Sequence, residues 1–201
     1  CRYNWGDGVC LPGNVDTTNS LAAIKKLVYD DKVITMEQLV KAWKANWEGY
    51  DDIRNMCKKA PKYGNNDPYV DDIGRQLHAD FAEIHNRKPD YLGRYTITPS
   101  AYSVTGHYPF GKKCWATTDG RKAGETFTDA TLSATPGTDV NGPTALIKSA
   151  VKLIDPVVYG STHFNVKFHP TALEGPAGAQ KFLQLIKTYF DEGGYQIQFN
   201  C

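Results

Sequence analysis

The side chains of this sequence best placed to do chemistry are amides carried on strands. Tyr195-Gln196-Ile197-Gln198-Phe199-Asn200 alternates with period two and puts Gln196, Gln198 and Asn200 on one side. Thr162 to Pro170 alternates as well, with Phe164, Val166 and Phe168 against His163, Asn165 and Lys167. Such polar faces can line a closed cavity and orient a small polar molecule, or they can meet water on an open sheet.

Other groups each have an ordinary explanation beside a chemical one. Gly142-Pro143-Thr144-Ala145 opens a helix whose first N–H groups could hold an anion. Asp119-Gly120-Arg121-Lys122 could present Arg121 to a carboxylate, or could be a tight surface turn. Asp30-Asp31, Asp51-Asp52 and Asp71-Asp72 lie in or beside amphipathic helices and read as solvated faces. His78 and His85 read as solvated or capped, because no HExxH or i,i+4 pair accompanies them. No CxxC pair supports a zinc site, so no metal is expected. No Ser–His–Asp order or phosphate-cradling glycine loop is recognisable.

The elements that must position these groups change character along the chain. Residues 18–86 read as helical. Thr18 to Asp31 carries the stripe Leu21, Ile24, Leu27 and Val28, with Thr17 or Thr18 as cap. Thr35-Met36-Glu37-Gln38 fits a capping box and opens a second helix through Trp43 and Trp47. A short helix with Ile53 and Met56 follows, then a long one through Val70, Leu77 and Ile84. Residues from about 94 to 201 read as strands and crossover helices. Tyr95 to Val104 is a strand in which Pro99 implies a bulge or an edge. Phe182, Leu185, Ile186, Tyr189 and Phe190 mark a helix ended by Gly193-Gly194. It lies between two strands, as in the crossover of a parallel sheet.

Composition bounds the class. The chain has 201 residues, 41% of them hydrophobic and 22% charged, as in a globular domain. A net charge of +1 gives no electrostatic footprint for nucleic acid. No apolar run is long enough to span a membrane. The irregularly spaced cysteines, Cys1, Cys10, Cys57, Cys114 and Cys201, argue for reduced thiols in a cytoplasm. Neither end has the look of a natural terminus, and the expectation is a fragment of a longer protein.

Six stretches, in order, resemble the glycyl radical enzymes, the pyruvate formate-lyase-like family. They are Asn19-Ser20-Leu21-Ala22-Ala23-Ile24-Lys25-Lys26-Leu27-Val28, Ala60-Pro61-Lys62-Tyr63-Gly64-Asn65, Asp119-Gly120-Arg121-Lys122-Ala123-Gly124, Gly142-Pro143-Thr144-Ala145, Phe164 to Pro170, and Gln198-Phe199-Asn200. The resemblance implies that residues 1–201 are part of a single α/β domain, a ten-stranded α/β barrel with a helical N-terminal half. It implies an anaerobic lyase, of dehydratase or arylacetate decarboxylase type. A fumarate-adding synthase and a non-catalytic module are the alternatives. In the family a radical-SAM activating enzyme installs a glycyl radical, which generates a thiyl radical on a cysteine. A homodimeric parent is also implied.

The chain departs from that pattern at the radical residues. The thiyl cysteine and the radical glycine lie outside it, so no catalytic residue is expected here, and the stretch alone is expected to be inactive. No cofactor is expected to bind this chain itself. Cys10, in Gly8-Val9-Cys10-Leu11-Pro12, lacks the thiyl context. What the resemblance carries over is a substrate-contacting strand near Thr98 to Val104. Alternation then groups Ser100, Tyr102 and Val104 on the face towards a small-molecule substrate.

Overall fold

The structure is a computed structural model and describes residues 8–86, 89, 93, 98–155 and 158–200. Helix α1 (Asn14–Ile24) begins a turn earlier than its apolar pattern suggests. Gly13 caps it with φ 79°, a left-handed conformation that glycine adopts without a Cβ penalty. Thr17 and Thr18 therefore sit inside the helix, and their hydroxyls donate back to the carbonyls of Gly13 and Asn14. A π-helical turn, Lys25–Asp30, extends it. Leu27 is buried there, whereas Leu21 points outward at 42% exposure.

The capping box forms as expected at the start of α2 (Met36–Lys44), with Thr35 and Gln38 bonded reciprocally. The helix does not reach Trp47. Asn46 and Trp47 take left-handed φ values of 51° and 68°, and Trp47 turns into the core. Its indole N–H donates to the Arg121 carbonyl at 3.0 Å, so tertiary packing overrides the helical spacing. Helices α3 (Asp51–Lys59) and α4 (Pro68–Asn86) complete the helical half. Asp71 is not a solvated carboxylate: its side chain is 1% exposed and pairs with Lys152 at 3.2 Å.

Strand β1 (Gly8–Cys10) pairs in parallel with β2 (Thr98–Ser100). Ala101 then forms a parallel bridge to Thr162, on the chain leading into β3 (Asn165–Lys167). β3 pairs in parallel with β4 (Gln198–Asn200), and α7 (Gly175–Asp191) crosses between them. The strand–helix–strand unit is thus as the alternation implied, and Gly193 ends its helix with φ 93°. Linked through the Ala101 bridge, the four strands run as one parallel row. They do not close a barrel by themselves.

The strand around β2 ends earlier than its sequence suggests. Tyr95 lies outside the described residues. Beyond the Ala101 bridge the chain leaves the sheet, with Val104 in a turn at φ 47°. The turn is closed by the Gly106 N–H on the Ser103 carbonyl at 2.6 Å and leads into α5 (His107–Lys113), which no periodicity announced. Pro99 is not on an edge: it pairs with Val9 on one side, and its carbonyl accepts from Gly160 on the other.

Helices cover one face of the strand row. Phe164 and Val166 are buried with Val70 of α4, with Leu185 and Tyr189 of α7, and with Ile147 and Leu153 of α6 (Pro143–Leu153). Ala101, fully buried, packs against Ala82 and Tyr159. A second core joins Leu27, Leu39, Trp47, Cys57 and Ala116. Among the described residues, no helix is long and apolar enough to cross a membrane.

Candidate functional site

The face of the strand row that these helices do not cover is polar. Tyr102 and His163 meet there, ring centroids 5.5 Å apart. The Tyr102 hydroxyl also interacts with the Cys10 thiol at the end of β1, and this interaction is the main reason its pKa rises above the usual phenol value. Ser100 lies on β2 at 5% exposure, next to Ala101 of the opposite face. Val104 does not extend this face as a strand residue. Its turn leaves it 61% exposed.

On β3 the polar face continues through Asn165 and Lys167. The Asn165 backbone N–H donates to Ser133 Oγ at 2.9 Å, and its side-chain Nδ2 donates to Asp129 Oδ2 at 3.0 Å. The other Asp129 oxygen stands 3.3 Å from His107 Nδ1. That approach lacks the alignment of a hydrogen bond, and among the described residues Nδ1 has no hydrogen-bond partner. Gln196 is tied into the ladder instead, accepting from the Phe164 N–H at 3.1 Å.

His107, Asp129 and Lys167 line an open cleft of about 850 Å³. Asp16 and Asp119 form part of its wall. Asp16 is 2% exposed, and its Oδ2 accepts from the Thr128 N–H at 2.9 Å. Burial first, and then the charge of Asp119, push its pKa up to about 7, against the opposing pull of Thr128 and Arg121.

Arg121 is not offered to a ligand, and its loop is not a surface turn. At 8% exposure it brackets the loop internally, donating to the carbonyls of Trp115, Gly111 and Glu125. Its guanidinium also lies 4.4 Å over the Phe127 ring. Gly120 is required beside it: φ is 103°, and a Cβ would stand 2.6 Å from Lys58 Cγ. The α6 start at Gly142-Pro143-Thr144-Ala145 forms as expected, with Pro143 and Thr144 exposed.

His78, expected to be solvated or capped, is instead 1% exposed on the helix-covered side. Asn14 Nδ2, which can only donate, is 2.7 Å from its Nε2. The proton therefore sits on Nδ1 and is donated to the Tyr159 oxygen at 2.9 Å, while the Tyr159 hydroxyl donates to the His78 carbonyl. Burial pushes the His78 pKa down to about 4. Asn14 also donates to the Thr131 carbonyl at 2.6 Å, and the Thr131 hydroxyl donates to the Ala101 carbonyl. This network ties α1 and α4 to the strand that carries Ser100 and Tyr102. His85 Nδ1 bonds the Phe81 carbonyl within its own helix at 2.8 Å, and its ring centroid lies 4.1 Å from that of Phe81.

Sequence reasoning missed His107, Asp129 and Asp16. His107 sits on a seven-residue helix and Asp129 in a loop, so no periodicity marks them. Asp16 lay before the expected helix start. Among the described residues no cluster of His, Cys, Asp and Glu could hold a metal ion. Cys10, Cys57 and Cys114 are free thiols.

Two family models match this chain. The pyruvate formate lyase-like family matches residues 1–111, and the glycine radical family matches residues 128–201. Indoleacetate decarboxylase of Tractidigestivibacter scatoligenes is 39% identical over all of this chain and 25% of its own length. Isethionate sulfite-lyase of Nitratidesulfovibrio vulgaris is 41% identical over 90% of this chain and 22% of its own. The crystal structure of hydroxyproline dehydratase from Clostridioides difficile, with trans-4-hydroxy-L-proline bound, superposes with a TM-score of 0.90. That match is 34% identical and covers 97% of this chain and 25% of the other. The chain thus spans about a quarter of the relatives' own length. With its first 111 residues matched by one family and the rest of the strand row by its radical partner, the chain belongs to the glycyl radical enzymes of the pyruvate formate-lyase-like family.

Proposed function

We propose that the protein containing this chain is an anaerobic lyase that works through a glycyl radical and a thiyl radical, and that this chain supplies part of its substrate wall. The observation that carries the reading is the division of the strand row. One face is sealed by helices, and the other is polar and carries Tyr102, His163 and Asn165. A radical enzyme needs such a lining, because the reacting species must be oriented and kept from water. Lyase is placed before fumarate-adding synthase because the relatives named above are a decarboxylase, a sulfite-lyase and a dehydratase. A cytoplasmic, homodimeric enzyme loaded by a radical-SAM activating enzyme is part of the same reading.

Within it, Ser100, Tyr102 and Val104 meet the substrate. Tyr102 offers a hydroxyl beside Cys10, and exposed Val104 follows in the turn out of the sheet. The test is activation of the full-length protein with a radical-SAM activase and reductant. A glycyl radical EPR signal is expected, and its absence from correctly activated protein overturns the lyase reading. In the same protein Val104→Phe is expected to change relative kcat/KM between large and small substrates. Ala101→Phe, on the helix-covered face, is expected instead to lower stability by about 1–3 kcal/mol through overpacking. A substrate profile untouched by Val104→Phe removes Val104 from the pocket.

A further inference from the structure

The polar face ends in a chain of three side chains drawn from three parts of the fold. Asn165 of β3 donates to one oxygen of Asp129, and the other oxygen faces His107 Nδ1 on α5. The carboxylate is thereby held on one side by the strand and presents its second oxygen to the imidazole. A carboxylate at Nδ1 fixes the tautomer of a histidine and leaves Nε2 to act. His107 lines the cleft, and its side chain is 23% exposed. We propose that His107 is a proton-transfer group of this cleft, oriented by Asp129, which Asn165 anchors to β3. The proposal rests on the lyase reading and deepens it by naming the group that handles protons there.

The supporting structure around the three is firm. The His107 carbonyl accepts from the Phe127 N–H at 3.2 Å, which ties the start of α5 to the segment before Asp129. Directly after Asp129, Ala130 and Thr131 hold left-handed φ values of 50° and 40°. Two successive non-glycine residues stay in that region only where surrounding bonds over-determine them. Those bonds are present: the Ala130 N–H donates to Ser103 Oγ at 3.2 Å, and Thr131 is held by Asn14 and by the Ala101 carbonyl.

The step is a proton transfer and nothing more. The Nε2–H bond of the protonated ring breaks, and a lone pair on a substrate oxygen takes the proton. An O–H bond forms and the ring is left neutral; in the reverse direction Nε2 accepts a proton from a hydroxyl. No electron is gained or lost. The cleft suits a small polar molecule with hydroxyl or carboxylate oxygens, which Lys167 on its rim would attract.

The test uses the full-length protein, activated to a measured glycyl radical content. Turnover is followed on whichever of indoleacetate, isethionate and trans-4-hydroxy-L-proline the wild type consumes. His107→Ala is expected to keep its radical and lose about 10²–10⁴-fold in turnover, the usual contribution of a positioned acid or base. Added imidazole is expected to restore part of the loss, which a merely structural histidine would not allow. Asp129→Asn is expected to lower turnover as well, without imidazole rescue. If His107→Ala does not fold, His107→Gln carries the test, with loss of turnover at full radical content expected. Wild-type turnover in either variant overturns the proposal, and so does a folded, radical-bearing and inactive His107→Ala that imidazole leaves inactive. A wild type that forms no radical sinks the lyase reading and this proposal with it, whereas a normal radical with indifferent variants sinks the proposal alone.

Discussion

Phe164 and Asn165 are neighbours in sequence and live in different chemistries. Phe164 is fully buried among helices, its ring 5.5 Å from Tyr189. Asn165 lies on the polar face and reaches Asp129. The same alternation separates buried Val166 from exposed Lys167. The apolar face is ordered by helices α4, α6 and α7, which remove it from water. The polar face is ordered by the loop around residues 128–135, through hydrogen bonds from Asn165 to Ser133 and Asp129. Stability thus resides mainly on one side of the row and placement of polar groups on the other.

The comparison breaks first at Phe164, where the largest effect is expected. Phe164→Ala removes an aromatic ring from a packed site and is expected to cost about 3–5 kcal/mol. Chemical denaturation checks it. A loss below about 1 kcal/mol would mean that the helices do not depend on this face of the strand row.

Proton linkage separates the two sides in a second way, through one buried group on each. His78, on the helix-covered side, has its pKa pushed down to about 4 from the usual 6.5. As pH falls, the unfolded chain takes up the proton first. The stability held by the neutral ring is therefore complete above about pH 6.5 and is lost towards pH 4, by about 3 kcal/mol. Asp16, on the cleft side, is raised from 3.8 to about 7, so the folded chain keeps a proton that the unfolded chain releases. Its contribution is greatest below pH 3.8 and is lost as pH rises through 7, by about 4 kcal/mol. Asp71, on the helix-covered side and also raised by burial, has the same sign as Asp16 and offsets part of the His78 slope. Between pH 4 and 6.5 the two sides oppose each other, and wild-type stability should vary little. Asp16→Asn removes most of the cleft-side slope, so stability should then rise with pH across that window. A flat profile in Asp16→Asn would show that His78, with Asp71 opposing it, does not carry the slope its burial implies.

Much of this division was legible in the sequence, and its limits have physical causes. The alternation of residues 162–168 and 195–200 gave the strands and their faces, because period two is imposed by the pleat itself. The capping box at Thr35, the Pro143 helix start and the Gly193 stop were readable, because each is set by local backbone chemistry. Trp47 and Val104 were misplaced on regular elements because left-handed turns, fixed by distant partners, intervene. The DGR loop left a ligand-facing Arg121 and a surface turn both open, because a single sequence does not reveal that Arg121 folds back onto carbonyls beside α5. The same holds for His107 and Asp129. Their meaning lies in one contact to each other and one bond to β3, which no local pattern encodes.

The smallest expected effect is the sharpest test of the comparison. Asn165→Ala keeps the strand's backbone, including the N–H that donates to Ser133. It deletes one half-buried hydrogen bond to Asp129 and is expected to cost only about 1 kcal/mol, several-fold less than Phe164→Ala next to it. On a purely solvated face nothing else would follow. Here Asp129 loses its anchor, so the approach of its other oxygen to His107 should loosen while the fold stays intact. Turnover of the activated full-length enzyme should then fall by a larger factor than the change in stability accounts for. Denaturation and turnover measured on the same preparation check this directly. If both change little, the polar face is an ordinary solvent surface. If stability collapses as it does for Phe164→Ala, the two faces are not separate in their roles.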